Sequence, residues 1–277
     1  MNSLAMRWKN GLSHALTLSY DDGIEADIRL IEIMQKHGLK GTFNLNSELF
    51  SKQETLTGNH HGRLSASQAV ALYKESGMEV AVHGAKHPYW ARLPRHVCMS
   101  DIMCDRQNLE KLFGGLIRGA AYPYGNHSDM TVECLRDAGI AYCRTTAATR
   151  AFDIPPDWLR MPATCHHNDP TLFELADRFL DMPVANAQPR LFYLWGHSYE
   201  FVDRDNWNII EAFAEKMGNR DDIYYATNIE IYDYVEAYCQ LRFSSDLTYV
   251  ENPTATDLWF SVDGKCYELG AGKALTL

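Results

Sequence analysis

Along the chain, short near-continuous apolar runs alternate with longer stretches in which apolar positions recur every three or four residues among charges. Ala15-Leu16-Thr17-Leu18-Ser19 reads as a buried strand, because a parallel strand covered on both faces needs apolar residues at successive positions. Ala26 to His37 sets Ile28, Ile31, Ile33 and Met34 among charges, which predicts an amphipathic helix closed by Gly38. The alternation continues with a strand at 41–47, a helix at 65–76 capped by Ser65 and stopped by Gly77, and a strand at 78–83. A long helix from about His96 to Phe113, a strand at 118–124, a helix at 129–138 and a strand at 140–146 follow. An irregular Ala- and Pro-rich piece over 147–157 leads to a strand at 159–166, a helix at 172–180 and the strongly strand-like run Arg190 to His197. A helix near 208–217, a strand at 223–227 and a helix from about Ile229 to Leu241 complete the pattern.

Seven or eight strands alternating with helices predict an α/β fold with a parallel sheet, and a chain of 277 residues favours a closed or nearly closed (β/α) barrel over an open doubly wound sheet. No Gly-x-Gly-x-x-Gly follows the first strand, which weakens a dinucleotide-binding reading. From Leu247 the texture changes: Leu258 to Val262, Asp263-Gly264, then Lys265 to Leu269 predict a β-hairpin with a two-residue turn. The expected division is therefore a barrel domain over 1–245 and a small β appendage over 246–277.

The formal charge of −10, with basic residues scattered, argues against a nucleic-acid or anionic-membrane partner. The first nineteen residues hold no apolar core of signal-peptide length and no later run approaches a membrane span, so a cytoplasmic location is expected. Seven widely spaced cysteines without a C-x-x-C pair fit reduced thiols better than disulfides or a thiolate zinc site.

The candidate chemistry lies where predicted strands stop. Asp21 and Asp22 end the first run, and adjacent carboxylates repel unless a cation or a shared proton holds them. The alternative is a loop that uses Asp and Gly for its turn. His83 and His87 follow the third strand, and Pro88 makes a turn there more favourable than a helix. Asp22, His83 and His87 would make an imidazole–carboxylate set suited to Zn²⁺ or a similar ion, with a position left for water. Two ordinary histidines among eleven are the competing reading. Tyr122-Pro123-Tyr124-Gly125 and His197 also end strands, and in a barrel all such ends open on one face, which makes His197 a candidate general acid.

Taken in order, S-Y-D-D-G at 19–23, H-G-A-K-H at 83–87, Y-P-Y-G at 122–125 and L-W-G-H at 194–197 resemble the motifs of the polysaccharide deacetylases, carbohydrate esterase family 4, over roughly residues 14–200. The resemblance implies a distorted (β/α)7 barrel and metal-dependent hydrolysis of an acetyl group, usually an N-acetyl group on a hexosamine. It implies Asp21 as base, Asp22, His83 and His87 as ligands of one divalent ion (Zn²⁺ first, with Co²⁺, Ni²⁺ or Mn²⁺ as alternatives), and His197 as acid. The Tyr124 backbone N–H would help bind the oxyanion. The family's third motif carries an Arg two residues before its Pro, where this chain has Ala121. Arg144 is the first candidate replacement, because a mid-strand charge needs a reason to be buried, and Arg160 the second. Asp157-Trp158 stands too far beyond the fifth strand to take the family's Asp-Trp role, which leaves Glu200 as a possible partner of His197. The polar cluster Cys165 to Asp169, with His166, lines the substrate site or caps the next helix.

Three readings follow: a metal-dependent deacetylase of an acetylated sugar or oligosaccharide, an amidohydrolase of the same fold acting on a small cyclic amide, or a catalytically silent carbohydrate-binding barrel. Retention of the expected base and ligands counts against silence.

Overall fold

A computed structural model describes residues 3–183 and 188–277. The chain begins with β1 (Leu4–Arg7) and enters the barrel through β2 (His14–Asp21), all eight residues of which are buried. Then come α1 (Asp27–Lys36), β3 (Gly41–Leu45), α2 (Ala66–Ser76), β4 (Glu79–Val82), α3 (Arg95–Phe113), β5 (Gly119–Ala121), α4 (Asp129–Asp137) and β6 (Tyr142–Ala148). The second half holds β7 (Met161–Ala163), β8 (Cys165–His166), α5 (Leu172–Leu180), β9 (Arg190–Gly196), α6 (Tyr199–Asp203), α7 (Trp207–Met217), β10 (Ile223–Tyr225) and α8 (Asn228–Cys239).

Local chemistry sets these limits. Ser65 and Gln68 form a reciprocal capping box at the start of α2, and Gly77 stops that helix in a left-handed conformation at φ 71°. On α1, the buried Leu30, Ile31 and Met34 recur at helical spacing and turn one face to the core.

The parallel sheet closes on itself. β2 pairs with β3 on one side and β9 on the other, and β3 to β6 follow in sequence order. Residues 161–166 complete the ring by serving two neighbours: β7 pairs with β6, whereas β8 pairs with β9. The change of partner falls at Thr164, whose N–H donates to Tyr193 O at 2.9 Å. The result is the expected distorted seven-stranded (β/α) barrel. An eighth strand, β10, lies against the N-terminal half of β2 (Ile223 opposite His14), below the point where β3 begins its pairing at Leu18.

Beyond α8, β11 (Arg242–Phe243), β12 (Tyr249–Glu251), β13 (Leu258–Val262), β14 (Lys265–Leu269) and β15 (Ala274–Thr276) form two small antiparallel sheets. The expected hairpin is β13–β14, and the N-terminal β1 adds to it through Leu4 opposite Val262. The unit expected at 246–277 thus shares its sheets with residues 4–7 and 242–243. All seven cysteines are free, four of them buried. Among the described residues no helix is long and apolar enough to cross a membrane.

Candidate active site

The C-terminal ends of β2, β4, β5, β6 and β9 bring the expected residues to one mouth. Asp21 is the last residue of β2, and Asp22 follows with φ 88°, in the left-handed region. His87 (φ 54°) and Tyr124 (φ 59°) share that conformation, which costs a non-glycine residue roughly 1–3 kcal/mol and persists where the surroundings enforce it. Gly84 enforces the turn between the two histidines: it has φ +78°, and an added Cβ would lie 3.0 Å from Pro88 Cδ and 3.2 Å from Pro123 Cγ.

Asp21 is 3% exposed and accepts from Arg144 Nη2 at 2.5 Å and Asn44 Nδ2 at 2.8 Å. Arg144 is itself 1% exposed and stacks on Trp195 at 4.4 Å. Burial pushes the Asp21 carboxyl up, but Arg144, then His83 and His197, outweigh it and hold the group well below the usual carboxylate range. Arg144 therefore occupies the tether position expected from the sequence. Arg160 does not: it pairs with Asp157 and Asp129 near the surface. Asp157 caps a short turn, and Trp158 packs on Tyr232.

Asp22 is held by an arginine that no sequence signal marked. Arg63 donates through Nη2 to Asp22 Oδ1 at 3.0 Å and through Nη1 to Asn46 Oδ1 at 2.8 Å, and it also bonds the Asp22 carbonyl. His83 Nδ1 lies 2.9 Å from Ala121 O, which can only accept, so the proton sits on Nδ1 and Nε2 carries a lone pair. His83 Nε2 and His87 Nε2 are 3.1 Å apart. Burial lowers the pKa of His83, and burial together with the neighbouring ring lowers His87 to about 4, so both are neutral at pH 7.

Ligand atoms of Asp22, His83 and His87 lie within 4.8 Å of one another. Donors about 2.0–2.2 Å from a tetrahedral zinc stand about 3.4 Å apart, so two neutral imidazole nitrogens and one carboxylate at this spacing fit a divalent ion. The buried carboxylate of Asp105 fixes the first ligand from behind, accepting from His83 N at 3.0 Å and Ser47 N at 2.8 Å.

His197 faces the same point. Its Nε2 is 3.7 Å from Asp21 Oδ2, and its Nδ1 is 3.0 Å from Glu200 Oε1. Burial lowers the imidazole pKa, but the bond to Glu200 and the charge of Asp21 more than reverse this, so the ring is raised above its ordinary value. Glu200 also accepts from Asn168 Nδ2 at 2.7 Å and lies 3.4 Å and 3.2 Å from His166 and His167 Nε2. Against burial, these three imidazoles hold it far below the carboxylate range.

The rim is aromatic. Tyr124, 53% exposed, stacks on Tyr89 at 3.8 Å and meets His87 at 4.4 Å. His166 packs on Trp195 at 4.6 Å, on the far side of His197. Tyr124 lies in the turn Pro123–Gly125, and the first N–H groups of so short a helix have no acceptor inside it.

Residues 9–143 match the family model described as polysaccharide deacetylase. No curated protein matches the sequence. Among solved structures, the chain is similar to a candidate polysaccharide deacetylase from Mycobacterium smegmatis, with TM-score 0.59 and 15% identity over 85% of this chain and 94% of that one. It is similar to BA3943, a CE4 family pseudoenzyme from Bacillus anthracis, with TM-score 0.52 and 15% identity over 83% and 68% of the two chains. It also resembles the Streptococcus pyogenes deacetylase PplD, solved with acetate, at 21% identity and TM-score 0.42, covering 47% of this chain and about half, 55%, of that one.

Proposed function

Residues 9–143 match the polysaccharide deacetylase family model, and from that match we propose that this chain is a metal-dependent hydrolase removing an acetyl group, N-acetyl in the first instance, from a carbohydrate. One observation carries the reading: three ligand-type side chains from two strand ends converge beside a buried ionised carboxylate and a histidine whose proton affinity is raised by Glu200 and Asp21. Asp22, His83 and His87 would hold the ion, with Zn²⁺ the first choice and Co²⁺, Ni²⁺ or Mn²⁺ acceptable to the same donors. When bound, such an ion supplies Lewis acidity, which acidifies a water and polarises an acetyl carbonyl.

The chain's own groups do the rest. Asp21, ionised at neutral pH and held in place by hydrogen bonds from Arg144 and Asn44, takes the proton of the attacking water. Tyr124 N–H donates to the oxygen on which negative charge develops, and as a fixed backbone dipole it needs no reorganisation. His197 delivers the Nε2 proton to the departing amine while Glu200 holds Nδ1 and raises the ring's affinity for a proton. The side chains of Tyr124, Trp195 and His166 offer flat faces and ring edges of the kind that pack on a sugar. A silent sugar-binding barrel would have no use for a buried Arg–Asp pair aimed at a histidine.

The test is acetate release from chitooligosaccharides and other acetylated sugars, with Zn²⁺ or Co²⁺ supplied, by the wild type and Asp21→Asn. Release by the wild type and its loss in the variant are expected. Equal inertness of both proteins across these substrates would remove the assignment.

A further inference from the structure

A second group of metal-type donors stands outside this centre. We propose that His60, His61 and Asp203 form a separate site for a divalent first-row ion of the zinc type, tying the loop between β3 and α2 to the helix that follows His197.

Adjacent residues of an extended chain point to opposite sides, yet here both imidazoles turn the same way. The cause is a tight turn: Gly62 N donates to Asn59 O at 2.6 Å and His61 N to Asn59 Oδ1 at 3.1 Å. The rings come to 4.4 Å, and both Nε2 atoms reach a single carboxylate oxygen, Asp203 Oδ1, at 2.7 and 2.9 Å. The turn is built before any ion arrives, because Glu25 accepts from Thr57 N and Oγ1 at 2.7 Å and from Gly58 N at 2.9 Å. Two imidazoles converging on one oxygen are a poor use of donors for a simple staple, which needs one. They are the donor set of a borderline metal ion rather than of Ca²⁺ or Mg²⁺, which take oxygen ligands.

The spacing is close to what an ion needs. Donors of a tetrahedral zinc stand about 3.4 Å apart, so loading would open the present contacts by about 0.5–0.7 Å. Side-chain exposures of 37%, 48% and 42% leave room for that movement and for water at the remaining positions. Each ring would ligate through Nε2 and keep its proton on Nδ1. The ion pairs of Asp203 among the described residues are with these two rings, so no lysine or arginine neutralises it first.

The location gives the site a consequence. The His61 ring is 4.7 Å from Tyr199, which is 5.1 Å from His197, while Arg63, two residues along the same loop, holds Asp22. An ion here would fasten one wall of the active-site mouth to the other.

Equilibrium dialysis of the full chain against Zn²⁺, with metal content by mass spectrometry, tests the proposal. The wild type is expected to hold one equivalent more than either His60→Gln/His61→Gln or Asp203→Asn, all three melting alike in chelator. Amide exchange over residues 54–62 should slow on loading in the wild type and stay unchanged in both variants. His87→Gln, which cuts the first centre, should keep the equivalent that depends on Asp203. Equal metal content in the wild type and the His60/His61 double variant overturns the proposal, as does release of every equivalent by His87→Gln alone.

Discussion

Arg144 is the residue on which the electrostatics of the site turn, and removing its charge has two separable effects. In Arg144→Met the side-chain stem is replaced but the guanidinium 2.5 Å from Asp21 is gone, leaving a carboxylate that is 3% exposed without its ion-pair partner. Breaking one side of a buried pair costs about 3–5 kcal/mol. At about 2–4 °C per kcal/mol for a chain of this size, Tm should fall by roughly 6–20 °C. The second effect is on the reaction. Burial pushes the Asp21 carboxyl up and Arg144 is the strongest influence holding it down, so its pKa must rise. A base works only when ionised, so the acid limb of the kcat/KM profile moves to higher pH and the loss is greatest on the acid side. Differential scanning calorimetry and acetate release from pH 5 to 9 read both. The register of the sheet offers a control, because Ala121 and Arg144 are direct partners in β5 and β6 and so point to the same side. Ala121→Arg in an Arg144→Ala background places the guanidinium where the family motif has it and should move the acid limb back. An Arg144→Met protein with unchanged Tm and unchanged acid limb would refute the tether, and a folded double variant with no recovery would refute the exchange of positions.

Three further outcomes follow from the same geometry. Glu200→Gln removes the anion that raises the His197 pKa, so the alkaline limb should move to lower pH, with acetate release at pH 8 down roughly 10- to 100-fold, inside the range a positioned acid supplies. Burial raises Asp27 to about 7 from 3.8, while Tyr73, Ser198 and Ile24 N hydrogen-bond its carboxyl. A raised folded pKa means stability fully present below pH 4 and lost as pH climbs through 7, on the order of 4 kcal/mol for about three units. Tm should therefore decline between pH 5 and 8 in the wild type and decline less in Asp27→Asn. In the His60→Gln/His61→Gln background, Zn²⁺ at 100 times its Kd should stabilise the fold by about 2.7 kcal/mol. That shift should be reversed by chelator and absent when His87→Gln is added.

The barrel was legible because its strands are nearly continuous apolar runs and its helices carry one apolar stripe. The run at 15–19 and the stops at Gly38 and Gly77 locate β2, α1 and α2 to within a residue or two. The convergence of Asp21, Asp22, His83, His87 and His197 follows from strand ends opening on one face, which needs only the order of the elements. Other features depend on what lies across the fold. The break at Thr164 splits one expected strand because its halves serve different neighbours, and no local pattern encodes a neighbour. β1 looked like plain N-terminal sequence because its partner is more than 250 residues away. Arg63 sits in a polar loop where an arginine is unremarked until the turn sets it against Asp22. Asn44 and Asn46 do carry a signal in the sequence, two amides in or next to a buried strand, and each is hydrogen-bonded at the site.

The two adjacent aspartates pose a repulsion that the sequence alone resolves only with a cation or a shared proton. The fold resolves it with two arginines from different directions, Arg144 on Asp21 and Arg63 on Asp22. Each carboxylate is thus neutralised before any metal arrives. The chain can therefore fold around this site without an ion, and an ion held by Asp22, His83 and His87 would meet neutral imidazoles and a carboxylate whose charge is already matched. The same pairing separates the neighbours, since Arg144 and Asn44 hydrogen-bond Asp21 while Arg63 pairs with Asp22, whose carboxylate is grouped with His83 and His87. Fold likeness could not have established this, because a pseudoenzyme shares the barrel at the same level as its other neighbours; the distinction rests on which charges meet at the mouth.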